Sequence, residues 1–254
     1  MDLITVKYIG KQPKLVNPIL IEGLPGIGNV GKLAVEHLID SIHAKKFAEL
    51  YCKDFPPQVF INSDGTIELV KNEFYFWKAK NKNQRDIVLL TGDYQGLSSQ
   101  GQYELVDNIL TILEKLGVKE LYTLGGYGLG HDIHRPQVLC ATTDKELVSQ
   151  MKKHGVVFKK NEPGGGIVGA SGLLLGLGKL HGFKGACFMG ETPGYLVDPK
   201  SAKAVLKVLM SLTKIDIDVS ALEKKAKEIE QIAQQLRDFE NTTKEKSEDL
   251  KYIG

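Results

Sequence analysis

Short, mainly apolar runs alternate along this chain with longer amphipathic segments, and that alternation restricts the fold more than any other feature. Pro18 to Glu22 (PILIE) is followed by a glycine-rich loop and then by Lys32 to Ile42, where Leu33, Leu38, Ile39 and Ile42 share a helical face. Asp86 to Leu90 is a second apolar run, and the segment after it has a capping box, Ser99 with Gln102, before a helix carrying Leu105, Ile109, Ile112 and Leu116 and ended by Gly117. The alternation continues with Glu120 to Leu124, a short helix capped by Thr143 with Glu146 and closed by Gly155, and a strand over Phe183 to Met189. Asp198 and Pro199 then open a helix over Lys200 to Leu212. Between Gln58 and Lys78, Asn62-Ser-Asp-Gly65 separates two β-rich runs and reads as a hairpin. Apolar strands alternating with amphipathic helices predict an α/β fold, a largely parallel sheet with helices on both faces.

The composition changes at Ser220. Leu222, Ala226, Ile229, Ala233 and Leu236 recur at spacings of four and three, with Ile232 and Phe239 beside them, which predicts one amphipathic helix. Asn241 to Asp249 is polar, and a short apolar tag with Leu250, Tyr252, Ile253 and Gly254 follows it. The expected organisation is a core domain over 1–218 and a C-terminal helix and tail over 219–254. An apolar helical stripe set beyond a complete domain needs a partner, so Leu222, Ile229, Ile232, Leu236 and Phe239 are expected to join subunits of a homo-oligomer and the tag to bind a protein partner.

Charge narrows the function classes. The 33 basic and 31 acidic residues leave a formal charge of +2, too little to attract nucleic acid or an anionic membrane over the whole molecule. Only Arg85, Arg135 and Arg237 are arginines, so planar forks for phosphate are few. The longest uncharged run, Gly164 to Gly178, is shorter than the ~20 apolar residues of a membrane span. Three widely spaced cysteines in apolar surroundings, Cys52, Cys140 and Cys187, read as reduced buried thiols, and the N-terminus has no signal-peptide pattern; a soluble, cytoplasmic protein is expected.

The candidate sites lie in glycine loops. Gly26, Gly28 and Gly31 in GLPGIGNVGK match a dinucleotide loop between a strand and a helix, and Gly26 to Lys32 matches a phosphate loop. The acid that should follow is misplaced, with Glu49 inside a strand, and Leu33 stands where a magnesium-binding hydroxyl belongs. A tight strand-to-helix turn is the alternative reading, with the anion loop vestigial. Ser171 in Gly169-Ala-Ser-Gly-Leu173 lacks the last glycine of a nucleophile elbow, and Gly165, Gly169, Gly172 and Gly176 would line one helical face open to another backbone. His131, Asp132 and His134 lack further ligands for a metal, while Asp93, Glu191 and Thr192 follow strands where α/β proteins place ligand contacts. No catalytic set, metal or cofactor is expected, although a hydrolase or phosphorylase acting on a nucleoside-like or small anionic substrate stands as the alternative.

Five loops in register, GLPGIGNVG, TGDYQG, GGYGLG, EPGGGIVGASGLLLGLG and MGETPGYLVDP, followed by KSAKAVLKVL, resemble the archaeal branch of the proteasome assembly chaperone family from about Pro18 to Ser220. The resemblance implies a domain similar to that of nucleoside phosphorylases, acting without ATP as an oligomeric chaperone or adaptor for proteasome subunits or a related client. Some relatives dock on the proteasome core through a C-terminal hydrophobic-Tyr-any-residue tail. Here the tail is LKYIG, with Tyr252 third from the end and Lys251 in the preceding hydrophobic position, a departure from that pattern.

Overall fold

The computed structural model describes residues 3–159, 165–229 and 231 of the chain. Two units divide the chain, Met1–Ile217 and Asp218–Gly254. The first contains, in order, β1 (Ile4–Tyr8), β2 (Ile19–Glu22), a 3-10 turn (Ile27–Asn29), α1 (Val30–Ile42), β3 (Lys45–Cys52), β4 (Val59–Ile61), β5 (Ile67–Leu69) and β6 (Asn72–Trp77). Then come β7 (Ile87–Gly92), α2 (Ser99–Lys115), β8 (Glu120–Gly128), β9 (Val138–Thr142), α3 (Lys145–Lys152), α4 (Ala170–Leu180), β10 (Lys184–Thr192) and α5 (Pro199–Thr213).

Eight strands form one sheet in the order β1-β3-β6-β7-β2-β8-β10-β9. The four apolar runs of the sequence make its parallel centre, β7-β2-β8-β10. Antiparallel strands complete it on both sides, β6, β3 and β1 beyond β7 and β9 beyond β10. The α/β expectation holds, with parallel strand pairing confined to the four central strands. β4 and β5 form a separate hairpin whose six strand residues are all exposed, turning where Gly65 N–H donates to Asn62 O at 2.9 Å.

Period-two alternation divides the central strands between two helical layers. Leu20, Val88, Leu90, Leu121 and Cys187 pack with Leu105, Ile109 and Leu113 of α2 and Leu174 of α4 in one buried cluster. Their sequence neighbours turn to the opposite face, where α1 and α5 lie against each other and against β8 and β10. Tyr122 and Phe188 stack on that face with ring centroids 5.9 Å apart. Each fully buried aliphatic or aromatic side chain is worth about 1.5 to 3 kcal/mol, so these two layers hold most of the fold's stability.

Two expected caps shift by a residue. The N-cap of α2 is Ser98, whose Oγ accepts from Gly101 N–H at 3.0 Å, while Gln102 donates to Gly96 O at 2.7 Å. Asp144 is the N-cap of α3, and the Thr143 hydroxyl donates to its carboxylate at 2.7 Å. The expected glycine stripe is also different. α4 begins at Ala170, beyond Gly165; Gly172 closes on Ile167 of its own loop, and Gly176 has open space beside it. Gly178 is the glycine of α4 that lets the sheet in close, at Leu121.

On the antiparallel flank, Glu49 and Glu73 are directly paired across β3 and β6. Lys46 Nζ bridges them at 3.0 and 2.8 Å, and Lys71 Nζ lies 3.3 and 3.5 Å from the same two carboxylates while also pairing with Glu68. Burial acts to raise the pKa of Glu49, but hydrogen bonds from Lys46, Tyr51 and Lys71 outweigh it and hold the carboxyl down at about 2. Glu49 is thus committed to an ion network.

In the second unit Asp218 accepts from Ser220 N–H at 2.8 Å and from its hydroxyl at 2.7 Å, opening a helix over 220–229 that carries Leu222 and Ile229. Ile232, Leu236, Phe239, Leu250, Tyr252, Ile253 and Gly254 lie outside the described residues.

Candidate functional site

Parallel strands deliver their following loops to one edge of the sheet, which is where α/β proteins bind ligands. Here the loops after β2, β7, β8 and β10 meet there, together with the start of α4 at Gly169 to Ser171.

The glycine loop after β2 is held by its own backbone. Gly23 N–H donates to Leu90 O and Asn29 N–H to Gly26 O, both at 2.9 Å, and Gly28 O accepts from Asp198 N–H at 2.9 Å. Gly28 has φ 62°, and a Cβ there would lie 2.8 Å from Thr192 Oγ1. A Cβ on Gly31 would collide with the Leu124 carbonyl oxygen, so this glycine lets α1 rest on β8. Gly26 has open space around it. Lys32, at the phosphate-loop lysine position, instead reaches the end of β7, donating to Gly92 O at 2.8 Å with the carboxylates of Glu36 and Asp93 at 3.5 and 4.0 Å.

Glu22, the last residue of β2, is fully buried. Its Oε1 accepts from Leu24 N–H at 2.9 Å and its Oε2 from the Ser171 hydroxyl at 2.9 Å. Ser171 Oγ also lies 3.4 Å from Leu124 O. Burial pushes the Glu22 pKa up to about 7, against the pull of these hydrogen bonds. The pair joins β2 to α4, and near neutral pH its carboxyl can exist in either protonation state.

Other polar groups at this edge hold loops together. Gln95 donates to Pro25 O at 2.6 Å and accepts from Ala170 N–H at 2.8 Å, so it occupies the N-terminus of α4 and ties it to the glycine loop. Asp93 accepts from Lys71 N–H at 3.0 Å, and Glu191 from Gln137 N–H at 3.1 Å. His131 Nδ1 lies 3.1 Å from Asp132 O, and Asp132 accepts from the Tyr195 hydroxyl at 2.6 Å. Among the described residues no group of three His, Cys, Asp or Glu could hold a metal ion. All three cysteines are free and buried, and burial pushes the thiols of Cys140 and Cys187 up to about 12.

Apolar side chains stand out from the same loops. Ile27 is 51%, Leu97 68% and Val168 95% exposed, with Tyr195, Leu196 and Val197 beside the end of β10. Sequence reading missed both these residues and Glu22. The only sign of Glu22 was an acid closing an apolar strand; the exposed side chains looked like ordinary loop apolar residues, since periodicity carries no information outside helices and strands.

Residues 20–237 match the PAC2 family. The whole chain aligns with 98% of the uncharacterised protein MJ1210 of Methanocaldococcus jannaschii at 45% identity. The fold is similar to that of Pyrococcus furiosus PbaB, described as an archaeal proteasome activator, at 43% identity and TM-score 0.90 over 93% of this chain and 100% of that one. It is also similar to Pyrococcus furiosus PbaA, described as an archaeal homolog of proteasome-assembly chaperone, at 27% identity and TM-score 0.75 over 96% of each chain. The match runs through both helical layers and every loop of the C-terminal edge, and the chain belongs to the PAC2 family.

Proposed function

We propose that the chain is a non-enzymatic, chaperone-like adaptor that works in the cytoplasm as a homo-oligomer and holds proteasome subunits or a related protein client. The observation that carries this reading is the state of the C-terminal edge. Lys32, Gln95 and Thr192 are engaged in joining the glycine loops, while Ile27, Leu97, Val168 and Tyr195 offer apolar surface to a macromolecule. The likeness to PbaB and PbaA supplies the client class. Gly26, Gly28 and Gly31 then serve as a turn, with any anion loop vestigial.

Within this reading the core over 1–218 is a platform and 219–254 the assembly and capture segment. Ile229, Ile232, Leu236 and Phe239 join or project from the subunits, while Leu222, expected to do the same, is buried within the chain itself, and Leu250, Tyr252, Ile253 and Gly254 form a recognition tag. Pull-down with proteasome subunits from the same cell tests it. Full-length protein should retain them; removing Leu250 to Gly254 should weaken capture while light scattering still shows an oligomer, and removing everything from Ser220 should disturb both. A full-length monomer, or capture indifferent to the short deletion, contradicts the proposal.

One observation favours a second reading, a hydrolase or phosphorylase. Glu22 and Ser171 place a carboxyl near its titration point beside a hydroxyl that donates to it. Turnover of a nucleoside or small phosphate ester that is lost in both Glu22→Gln and Ser171→Ala would establish it.

A further inference from the structure

The opposite edge of the sheet, at the N-terminal ends of β2, β7 and β8, carries a different chemistry. Three separate segments are fastened there into one surface. The buried carboxylate of Asp86 accepts from Val16 N–H at 2.7 Å and from Ala79 N–H at 2.8 Å, fixing the turns on both sides of it. Arg85 donates to Asn17 O at 2.9 Å, to Asn17 Oδ1 at 3.1 Å and to Glu120 Oε1 at 2.7 Å. Gln84 donates to Lys214 O at 2.9 Å, which brings in the end of α5.

This braced surface is cationic. Lys14, Lys78, Lys80, Lys82, Lys119 and Lys214 are all exposed; of the acids beside them Asp86 and Glu120 are engaged by the turns themselves, which leaves the exposed Asp216 as a counter-charge two residues after Lys214. The charge is local, because the chain as a whole carries only +2. An open concavity of about 430 Å³ lies at this surface, lined among the described residues by Asn81, Asn83 and Lys214. Asn81 Oδ1 accepts from Asn83 N–H at 3.0 Å, which leaves its amide N–H groups to donate outward. Lys214 holds φ 59° at the C-cap of α5, a left-handed position where glycine or asparagine is usual.

We propose that this edge is a docking surface for an acidic segment of a partner protein, one carboxylate of which enters the notch between Asn81, Asn83 and Lys214. Lysines supply point charges suited to spaced carboxylates, and the asparagine amides supply donors to an oxygen that the lysines have attracted. Nucleic acid is a poorer fit. The turns over 10–18 and 78–86 contain no aromatic residue on which a base would stack, and Arg85, their one guanidinium, is already bound. A membrane surface needs an apolar face, and these turns expose the single large apolar side chain Val16. The surface lies at the opposite edge of the sheet from the exposed apolar loops, so it stands or falls independently of the function proposed above.

Fluorescence anisotropy of a labelled oligoglutamate peptide with the full-length protein tests it. Binding should weaken as salt is added, fall roughly tenfold in Lys80→Glu/Lys82→Glu, and fall by about threefold in Lys214→Asn, which keeps a residue tolerant of left-handed φ. Lys53→Glu/Lys200→Glu, after β3 and in the first turn of α5 at the other edge of the sheet, with the same change of net charge, should bind as the parent does. An equal loss in that control, or tighter binding of single-stranded RNA or of phosphatidylserine vesicles than of the peptide, overturns the proposal. Lysine acetylation of the parent protein gives a readout independent of any variant's folding: the peptide should protect Lys80, Lys82 and Lys214, and their unchanged reactivity contradicts it.

Discussion

The two edges of the sheet are built by different means. At the C-terminal edge the backbone sets the geometry: loops cross so closely that Gly28 and Gly31 leave no room for a Cβ, and the side chains left over are apolar. At the N-terminal edge side chains set it, with Asp86 and Arg85 bracing turns that carry the exposed Lys14, Lys78, Lys80 and Lys82. The difference shows where each edge is vulnerable. A close backbone approach fails when volume is added; a braced turn fails when its one carboxylate is removed.

The largest effect is expected at Gly31. Gly31→Val must push α1 away from the Leu124 carbonyl and should cost more than about 3 kcal/mol in chemical denaturation, whereas Gly26→Ala, with open space beside it, should stay within about 0.5 kcal/mol. Equal costs at the two positions would break the claim that backbone contact organises this edge.

Next is the pH dependence of Glu22. Its folded-state pKa is raised from 4.5 to about 7 by burial, so as pH rises the unfolded chain releases this proton before the folded chain does. The stability tied to the protonated group is fully present below about pH 4.5 and is lost through about pH 7, a fall of roughly 3 kcal/mol. Glu22→Gln cannot lose a proton there. Urea denaturation at about pH 5 and about pH 8 should show the variant gaining on the parent at the higher pH, and parallel behaviour would contradict the buried, cation-free setting.

Asp86→Ala should cost about 2 kcal/mol, since it strips a charged acceptor from two partly buried N–H groups, and hydrogen exchange should rise at both Val16 and Ala79. Faster exchange in one turn alone would mean that the turns are braced separately. The smallest effect belongs to the exposed apolar residues. Leu97→Ser and Val168→Ser should change stability by less than about 0.5 kcal/mol while reducing capture of proteasome subunits. Unchanged capture would remove this surface from the proposed function.

The central fold was legible in the sequence because β2, β7, β8 and β10 are buried on both faces along their middles and are mostly apolar there, while α2 and α5 show their cores as periodic stripes. The order of strands was not legible, since an antiparallel flank such as β3 with Glu49 reads as a charged, irregular strand until its partners Lys46, Lys71 and Glu73 are placed. The caps of α2 and α3 were read one residue off, at Ser99 and Thr143 where the structure has Ser98 and Asp144, because a neighbouring hydroxyl offered a similar spacing. The glycine loop was legible as a motif and ambiguous as a function. What separates a turn from a phosphate cradle is where the Lys32 ammonium points, and that depends on Gly92, 60 residues away in sequence. Glu22 and Ser171, 149 residues apart, were beyond any local pattern for the same reason.

Calorimetric titration of the full-length protein with ATP, NAD, a nucleoside and inorganic phosphate bears most directly on the central claim, that the C-terminal edge serves protein contact and not small-ligand chemistry. No saturable heat should appear up to about millimolar ligand, because the loop groups that would hold an anion are engaged with one another. Micromolar binding of any one of these ligands that is abolished by Gly28→Val, in a variant whose folding is verified by circular dichroism, would contradict that claim and return the glycine loop to an enzyme.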